Sequence, residues 1–332
     1  MTTRSAARVQ RWTPLSAAST IALLVLAAVL AFAPVVLSAN SIDKLTTLYI
    51  YVLLGAMWNA LAGYAGLVSI GQQAFFGLGA YFAIRLSYEG LPVYPALIVG
   101  AIGAGIAAWP ISWLMLRLKG GEFAIGMWVV AEVCHLLVNL DGLIQGETGT
   151  SLIALDTFAP AVRRADNYWL ALGAMVLFLG LVFILLRSRL GASVQAIRDD
   201  EEAASSVGVK VMGGKRIIFL LAALGCAAAG VAFLATSITF QPRTYFGVEW
   251  SAYMIFMALV GGLGTFEGGI IGAVLFFLVQ NEFGEIGVWY LVGLGAVAIG
   301  FALFLPRGLW GTIEDRFGVR LMPVGYRLRL DE

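Results

Sequence analysis

An all-α polytopic membrane protein is the fold class this sequence predicts, on three observations. Apolar residues make up 60% of the 332 positions and charged residues only 12%, with a mean hydropathy of +0.89, far outside the range of a soluble domain. The apolar residues gather in runs of the length that crosses a hydrocarbon layer, roughly 20 residues each. The single sizeable charged stretch among them runs from Arg187 to Arg216. Cys134 and Cys226 both sit inside apolar runs, which implies packing rather than a disulfide framework.

Taken in order, the runs predict about ten transmembrane helices. Thr20–Leu37 follows Arg4, Arg8 and Arg11; it is too long for the apolar core of a signal peptide and reads as a retained first helix. A short outer connection, Ala39–Lys44, leads to a second span over Leu45–Ala65, with a third over Leu67–Tyr88 almost without a loop. The fourth, Val93–Leu116, ends in the basic turn Arg117-Leu118-Lys119, and the fifth covers Glu122–Leu140. Asp141–Asn167 is polar enough for a solvated outer loop with room for a short helix. The sixth span, Tyr168–Leu186, descends to the charged loop, and the seventh, Ile217–Phe240, rises to an outer loop over Gln241–Glu249. Trp250–Leu263 and Gly268–Asn281 are short spans flanking a glycine-rich interruption, and Val288–Leu305 is the last. The organisation is an N-terminal tail over 1–18, a transmembrane body over 19–305 containing the loops 187–216 and 141–167, and a C-terminal tail over 306–332.

Charge sets the orientation. With both termini and the charged loop cytoplasmic, only Lys44, Arg85, Arg163, Arg164 and Arg243 of the 21 basic residues remain for the outer side. That satisfies the positive-inside rule. Spans two to five then begin outside and spans seven to ten inside, the arrangement of an inverted repeat. The glycine-rich interruptions, Gly63–Gly71 and Gly261–Gly269, do not occupy matching places in the two groups.

Within the charged loop, Asp199, Asp200, Glu201 and Glu202 stand where acidic residues favour the first turn of a helix. Gly208 is placed to close it. Such a helix has nothing to bury in lipid and is free to dock on a soluble partner. The core Glu202-Ala203-Ala204, followed after three residues by Gly208, and the run from Leu190 before it, resemble the EAA loop of ABC importer permeases, specifically the LivM branch that serves branched-chain amino acids. Two further stretches resemble LivM-type permeases: Gly63-Tyr64-Ala65-Gly66 with Ser69, Gly71 and Ala74-Phe75-Phe76-Gly77, and Gly261-Gly262-Leu263-Gly264-Thr265. The turn Lys119–Gly126 is also similar, whereas Gly142–Thr150 departs from the Thr-Gly-Gly-x-x-Gly segment of many relatives.

The resemblance implies that Arg198, Asp199, Asp200, Glu201, Glu202, Ala203, Ala204 and Gly208 couple the chain to an ATPase. It implies a translocation path framed by Asn59, Gly63, Gly66, Ser69, Gln72, Gln73, Phe76, Gly261, Gly262, Gly264 and Thr265. Helix breaks at membrane depth are tolerated only where protein or a water-lined cavity satisfies the freed backbone. The expected partners are a LivH-like second permease, two LivG/LivF-like ATPases, an extracytoplasmic solute-binding protein and membrane lipid, with no nucleic acid. The expected location is the bacterial inner membrane.

No Walker A sequence occurs in the chain, so ATP and Mg are expected on partner subunits, with no cofactor on this chain. No Ser/His/Asp set or paired catalytic carboxylates emerge, which disfavours an enzyme. Glu132 and His135 share a helix face and form either a structural pair or a proton relay. A sole histidine with no Cys/His cluster beside it does not point to a metal site. Asn59, Gln72, Gln73 and Gln280 are further polar residues within spans. Urea, short amides or aromatic carboxylates stand beside amino acids as solutes, and a secondary transporter is the rival class.

Overall fold

Every backbone polar group in a bilayer needs an internal partner, which leaves the helix as the element for this composition. The computed structural model is built of helices accordingly, and it describes residues 7–10, 13–318, 321–324 and 327–330. Arg4, Arg11 and Arg320, assigned above to the inner side, lie outside the described residues.

Helix α1 (Pro14–Ala31) starts on a reciprocal cap: Ser16 N donates to Thr13 Oγ1 (3.1 Å) and Thr13 N to Ser16 Oγ (2.9 Å). Ser38 caps α2 (Ala39–Asn59), so the expected outer connection at 39–44 is helical; α2 runs on into a π-helical turn, Ala60–Tyr64. Then follow α3 (Gln73–Tyr88), α4 (Val93–Met115) and α5 (Gly120–Asn139). Pro160 at the first position starts α6 (Pro160–Arg187) before the apolar run begins, which shortens the outer loop. The charged loop holds α7 (Arg189–Asp199) and α8 (Glu201–Ser206), and α9 (Val211–Ser237) begins inside its last residues. The chain closes with α10 (Glu249–Gly261), α11 (Phe266–Phe283), α12 (Val288–Phe304) and α13 (Gly308–Phe317).

Eight helical stretches among the described residues are long and apolar enough to cross a membrane: α1, α2 with its π turn, α4, α5, α6, α9, α11 and Trp289–Phe317. The third and eighth expected spans fall short. α3 has 16 residues and α10 has 13, about 24 and 20 Å at 1.5 Å per residue, against a hydrocarbon layer of roughly 30 Å. The third span does not follow the second directly: Gly66 (φ 69°) turns the chain out of the helix, and the backbone stays non-helical to Ser69 and beyond.

Those two short helices hold matching second places in the two expected repeats. Exchanging α2, α3, α4 and α5 for α9, α10, α11 and α12 preserves the main packing pairs: α3 on α4 becomes α10 on α11, α9 on α3 and α4 becomes α2 on α10 and α11, and α3 on α5 becomes α10 on α12. α2 and α9 pack on each other at the centre. They run antiparallel, because α2 ends beside the charged loop from which α9 departs.

Small residues permit this central packing, where lipid offers no hydrophobic drive between helices. Ala222, Ala223, Gly225, Cys226, Ala227, Ala229 and Gly230 of α9 are buried. The side chain of Met57 occupies the space beside Gly225, and a Cβ on Gly230 would fall on the Phe76 carbonyl. By contrast α1 is largely exposed; Tyr168 Oη and Trp169 Nε1 hold it by donating to the Leu30 and Ala31 carbonyls (2.7 and 2.9 Å). A cavity of about 350 Å³ lies between α1 and α2, α6 and α11, lined by Leu23, Ala27, Val52, Leu179 and Ile270.

Two small antiparallel ladders close the ends. β1 (Ala7–Gln10) pairs with β4 (Arg327–Leu330), and β2 (Thr150–Ser151) with β3 (Thr239–Phe240). Met322, near β4, accepts from Thr20 Oγ1 through its sulfur (3.8 Å) and donates its amide to Glu267 (2.6 Å), which brings both chain ends to the charged-loop side of the body.

Gly230→Ala is expected to cost about 1–3 kcal/mol through overpacking of α9 on α3. Gly173→Ala, whose Cβ would meet open space, is expected to be neutral or stabilising by about 0.5–1 kcal/mol. Thermal unfolding midpoints in detergent compare the two.

Candidate functional site

The two helix breaks meet. Asn59, 2% exposed at the end of α2, donates from Nδ2 to the Thr265 carbonyl (2.7 Å) and accepts at Oδ1 from Gly264 N (2.8 Å). One amide thus satisfies a donor and an acceptor freed by the break between α10 and α11, the condition for irregular backbone at membrane depth. Thr265 caps α11 by accepting from Gly268 N (3.2 Å), and its hydroxyl donates to the Gly262 carbonyl (2.8 Å). Gly262 and Gly264 take φ of 137° and 76°, a region closed to most side chains. Gly261 has no room for a side chain, since a Cβ there would fall on the Gly268 carbonyl.

Arg198 closes the joint from the charged loop. Its Nη1 donates to the Gly63 carbonyl in the π turn (2.8 Å), while Nη2 and Nε bond Asp199 Oδ1 (2.7 and 2.9 Å). A Cβ on Gly66 would sit 3.2 Å from the Arg198 side chain, and one on Gly264 equally near its Nη1. Asn59, Gly63, Gly66, Gly264 and Thr265 of the expected path therefore assemble around a residue expected on the ATPase face. Beside them lies a cavity of about 150 Å³, lined by Tyr64, Gln195, Gly264, Thr265 and Glu267.

Ser69, Gln72, Gln73 and Phe76 form a second cluster at the start of α3. The Ser69 carbonyl accepts from Trp58 Nε1 (2.8 Å), and Gln73 accepts from the Ser251 hydroxyl, so the first residues of α3 and α10 touch. Gln72 Nε2 donates to Ser69 Oγ (3.3 Å). Phe76 is fully buried, packed on Trp250 (4.3 Å between ring centroids) and on Tyr245 and Phe233 (5.6 Å each), and so belongs to an aromatic core. Ser251 escaped the sequence reading; its signal was a lone hydroxyl following Trp250 in an apolar run.

The charged loop carries two helices where one was expected from Asp199 onward. Asp200 is extended (φ −158°) and separates them, its Oδ1 accepting from Glu202 N and Ala203 N (2.9 and 3.0 Å) as the cap of α8. Gly208 (φ 87°) ends α8, with Val209 N bonding back to the Ala204 carbonyl (3.1 Å). Glu201 turns inward to the buried Lys215 Nζ (2.7 Å), and Ala204 is buried. Glu202, Ala203 and Val207 face out, Val207 being 81% exposed.

At the opposite end, His135 bridges two acids: Nδ1 lies 3.3 Å from Glu132 Oε1 and Nε2 2.8 Å from Glu147 Oε1. Asn139 Nδ2 also donates to Glu147 (2.6 Å), as does Arg243 N (3.0 Å). Burial raises the Glu147 pKa, but the Asn139 and His135 contacts and the Arg243 amide outweigh it and hold the carboxyl below its ordinary value. Asp141 is held low chiefly by the Leu143 amide, against burial, with help from Tyr81 and Arg85. No group of three or more His, Cys, Asp or Glu fit to hold a metal occurs among the described residues.

The family model described as "Branched-chain amino acid transport system / permease component" matches residues 40–302, which contain the joint, the charged loop and both short helices. The chain belongs to the branched-chain amino acid transport permeases. As such a permease it is an ABC-type transport subunit and not an enzyme. Among the permease's relatives is the high-affinity branched-chain amino acid transport system permease protein LivM of Escherichia coli K12, 28% identical over 316 residues covering 87% of this chain and 73% of that protein. Its counterpart BraD of Pseudomonas aeruginosa is 24% identical over 82% of this chain and 95% of its own length. The L-arabinose transport system permease protein AraH of Escherichia coli K12 is 32% identical over 58% of this chain and 56% of its own.

The pH dependence of the outer loop follows from Glu147 and Asp141. Their folded pKa values lie below the unfolded ones, so their stabilisation is complete above the ordinary carboxylate range of about 4 and is lost as pH falls through the folded values. Hydrogen exchange at 141–150 and 239–246 is expected to accelerate, relative to α9, as pH falls from neutral to below about 4; an unchanged ratio to α9 across that range would contradict the assignment.

Proposed function

We propose that this chain is one of two permease subunits of an importer for branched-chain amino acids, coupled to its ATPases through α8. A LivH-like permease, two LivG/LivF-like ATPases and an extracytoplasmic binding protein complete the assembly, with ATP and Mg on the ATPases and this chain in the inner membrane, both ends cytoplasmic. The observation that carries the coupling is the Arg198 bond to the Gly63 carbonyl.

The outward Glu202, Ala203 and Val207 give α8 a small docking face, apolar at its tip. Asp200 is the extended link through which a push on α8 reaches α7 and Arg198. Arg198 touches both breaks, so displacing it alters the support of the π turn and of the Gly262–Thr265 turn together. The spans on either side, α2 with α10 and α11, then rock between inward- and outward-open states. Only partners that bind the two states unequally drive that change. Among solutes, the amino-acid reading follows the names of LivM and BraD, whereas AraH is named for a sugar.

The test is co-purification of tagged permease with its ATPases, together with uptake into vesicles. Glu202→Arg and Gly208→Trp are expected to abolish ATPase association while the membrane body stays folded. Arg198→Ala is expected to keep the ATPases and their hydrolysis but to lower uptake about tenfold or more, the equivalent of one charge-assisted hydrogen bond. A wild type that retains no ATPase overturns the importer reading, and an Arg198→Ala variant with normal uptake overturns the coupling route.

A further inference from the structure

The exposed faces of the long helices are not alike. On α4, Ile98, Ile102, Ile106 and Trp109 face outward, and on α6, Leu177, Leu181 and Ile184. These are surfaces for lipid. The stripe on α5 repeats Ile125, Trp128, Val129 and Leu136 at helical spacing, but at its centre stands Glu132, whose side chain is 56% exposed. Glu132 lies seven residues from the outer end of α5 and twelve from the inner end, about 10 and 18 Å along the axis. That is hydrocarbon depth.

An exposed carboxylate at that depth cannot face acyl chains without a large penalty, and such residues turn to a water-filled cavity or a protein partner. Its contact with His135 Nδ1, at 3.3 Å, does not cover it. His135 is itself fixed, parallel to the Phe246 ring (centroids 5.8 Å, interplanar 18°) and bonded to Glu147. Two carboxylates therefore share one imidazole, and the cluster keeps surplus negative charge. At the end of the same helix Asn139 Oδ1 is buried without a hydrogen-bond partner.

We propose that the α5 stripe faces the second permease subunit across a water-filled passage, and that Glu132 receives the substrate's ammonium group there. This rests on the reading of the chain as one permease subunit of an amino-acid importer. The zwitterion supplies the cation that the cluster lacks, and the neighbouring subunit closes the far side of the passage, so that Ile125, Val129 and Leu136 do not face lipid. The position of Glu132 between the outer loop and the joint puts this contact early in the inward passage.

The experiment uses the assembled importer in membranes, in a Cys134→Ser, Cys226→Ser background. Glu132→Cys is compared with Ile102→Cys, at similar depth on α4, for labelling by a membrane-impermeant cationic thiol reagent. Labelling of Glu132→Cys at least about tenfold faster is expected, the difference between a hydrated and a lipid-buried thiol; equal rates overturn the passage. In uptake of leucine, Glu132→Gln is expected to raise KM about tenfold with ATP hydrolysis retained, and Glu132→Asp to restore it; an unchanged KM overturns the ammonium contact. Failure of wild type to take up leucine with ATP overturns the importer reading instead, and the labelling contrast then decides the passage by itself.

Discussion

Two helices, α3 and α10, are too short to cross the bilayer, and the peptide groups freed at the breaks beside them need partners within the protein. That constraint organises the structure. Asn59 answers the break at Gly262–Thr265 with both ends of its amide, Trp58 and Ser69 answer the break before α3, and Arg198 reaches in from the charged loop to the π turn. Trp58 and Asn59 stand on α2 and Arg198 on α7, each away from the backbone group it bonds. The breaks therefore bind α2, α10, α11 and the loop into one unit, which uninterrupted helices would not require.

The same constraint explains why the glycines concentrate where they do. Gly261 and Gly230 let backbones touch, while Gly262 and Gly264 adopt conformations that other residues avoid. Around this unit, α9 and α2 pack as the central antiparallel pair, and the two short helices lie beside them in exchanged places. The repeat is one of packing, since the π turn that Arg198 bonds at the end of α2 has no π counterpart at the end of α9.

Much of this was legible in the sequence, and the reasons for the remainder are physical. Apolar run lengths give the crossings, and the Gly63–Gly71 and Gly261–Gly269 clusters announce the breaks. Hydropathy does not reveal that Gly66 turns the chain out of its helix, so the apolar run is longer than α3. Helix-starting residues need not be apolar and disappear from a hydropathy profile, which is why the Ser38 cap and Pro160 at the first helical position start their helices ahead of the apolar runs. The charged loop was recognised as a unit, yet which of its residues face inward depends on the turn at Asp200. Glu201 and Arg198 consequently join the body, while Glu202 and Val207 remain outside. Glu132 and His135 were seen as a pair; their third member, Glu147, is distant in helix register and arrives only through the folded loop.

The peripheral first helix has one more consequence. The stretch shared with the family starts at residue 40, after α1, and α1 is tied to the body mainly through the hydroxyl of Tyr168 and the indole of Trp169. A single added crossing leaves the orientation of everything downstream untouched but carries the chain's beginning to the opposite face. Here that is the face of β4, and it is what allows Ala7–Gln10 to zip onto Arg327–Leu330. The accessory helix thus acts as a return line that lays Ala7–Gln10 alongside Arg327–Leu330.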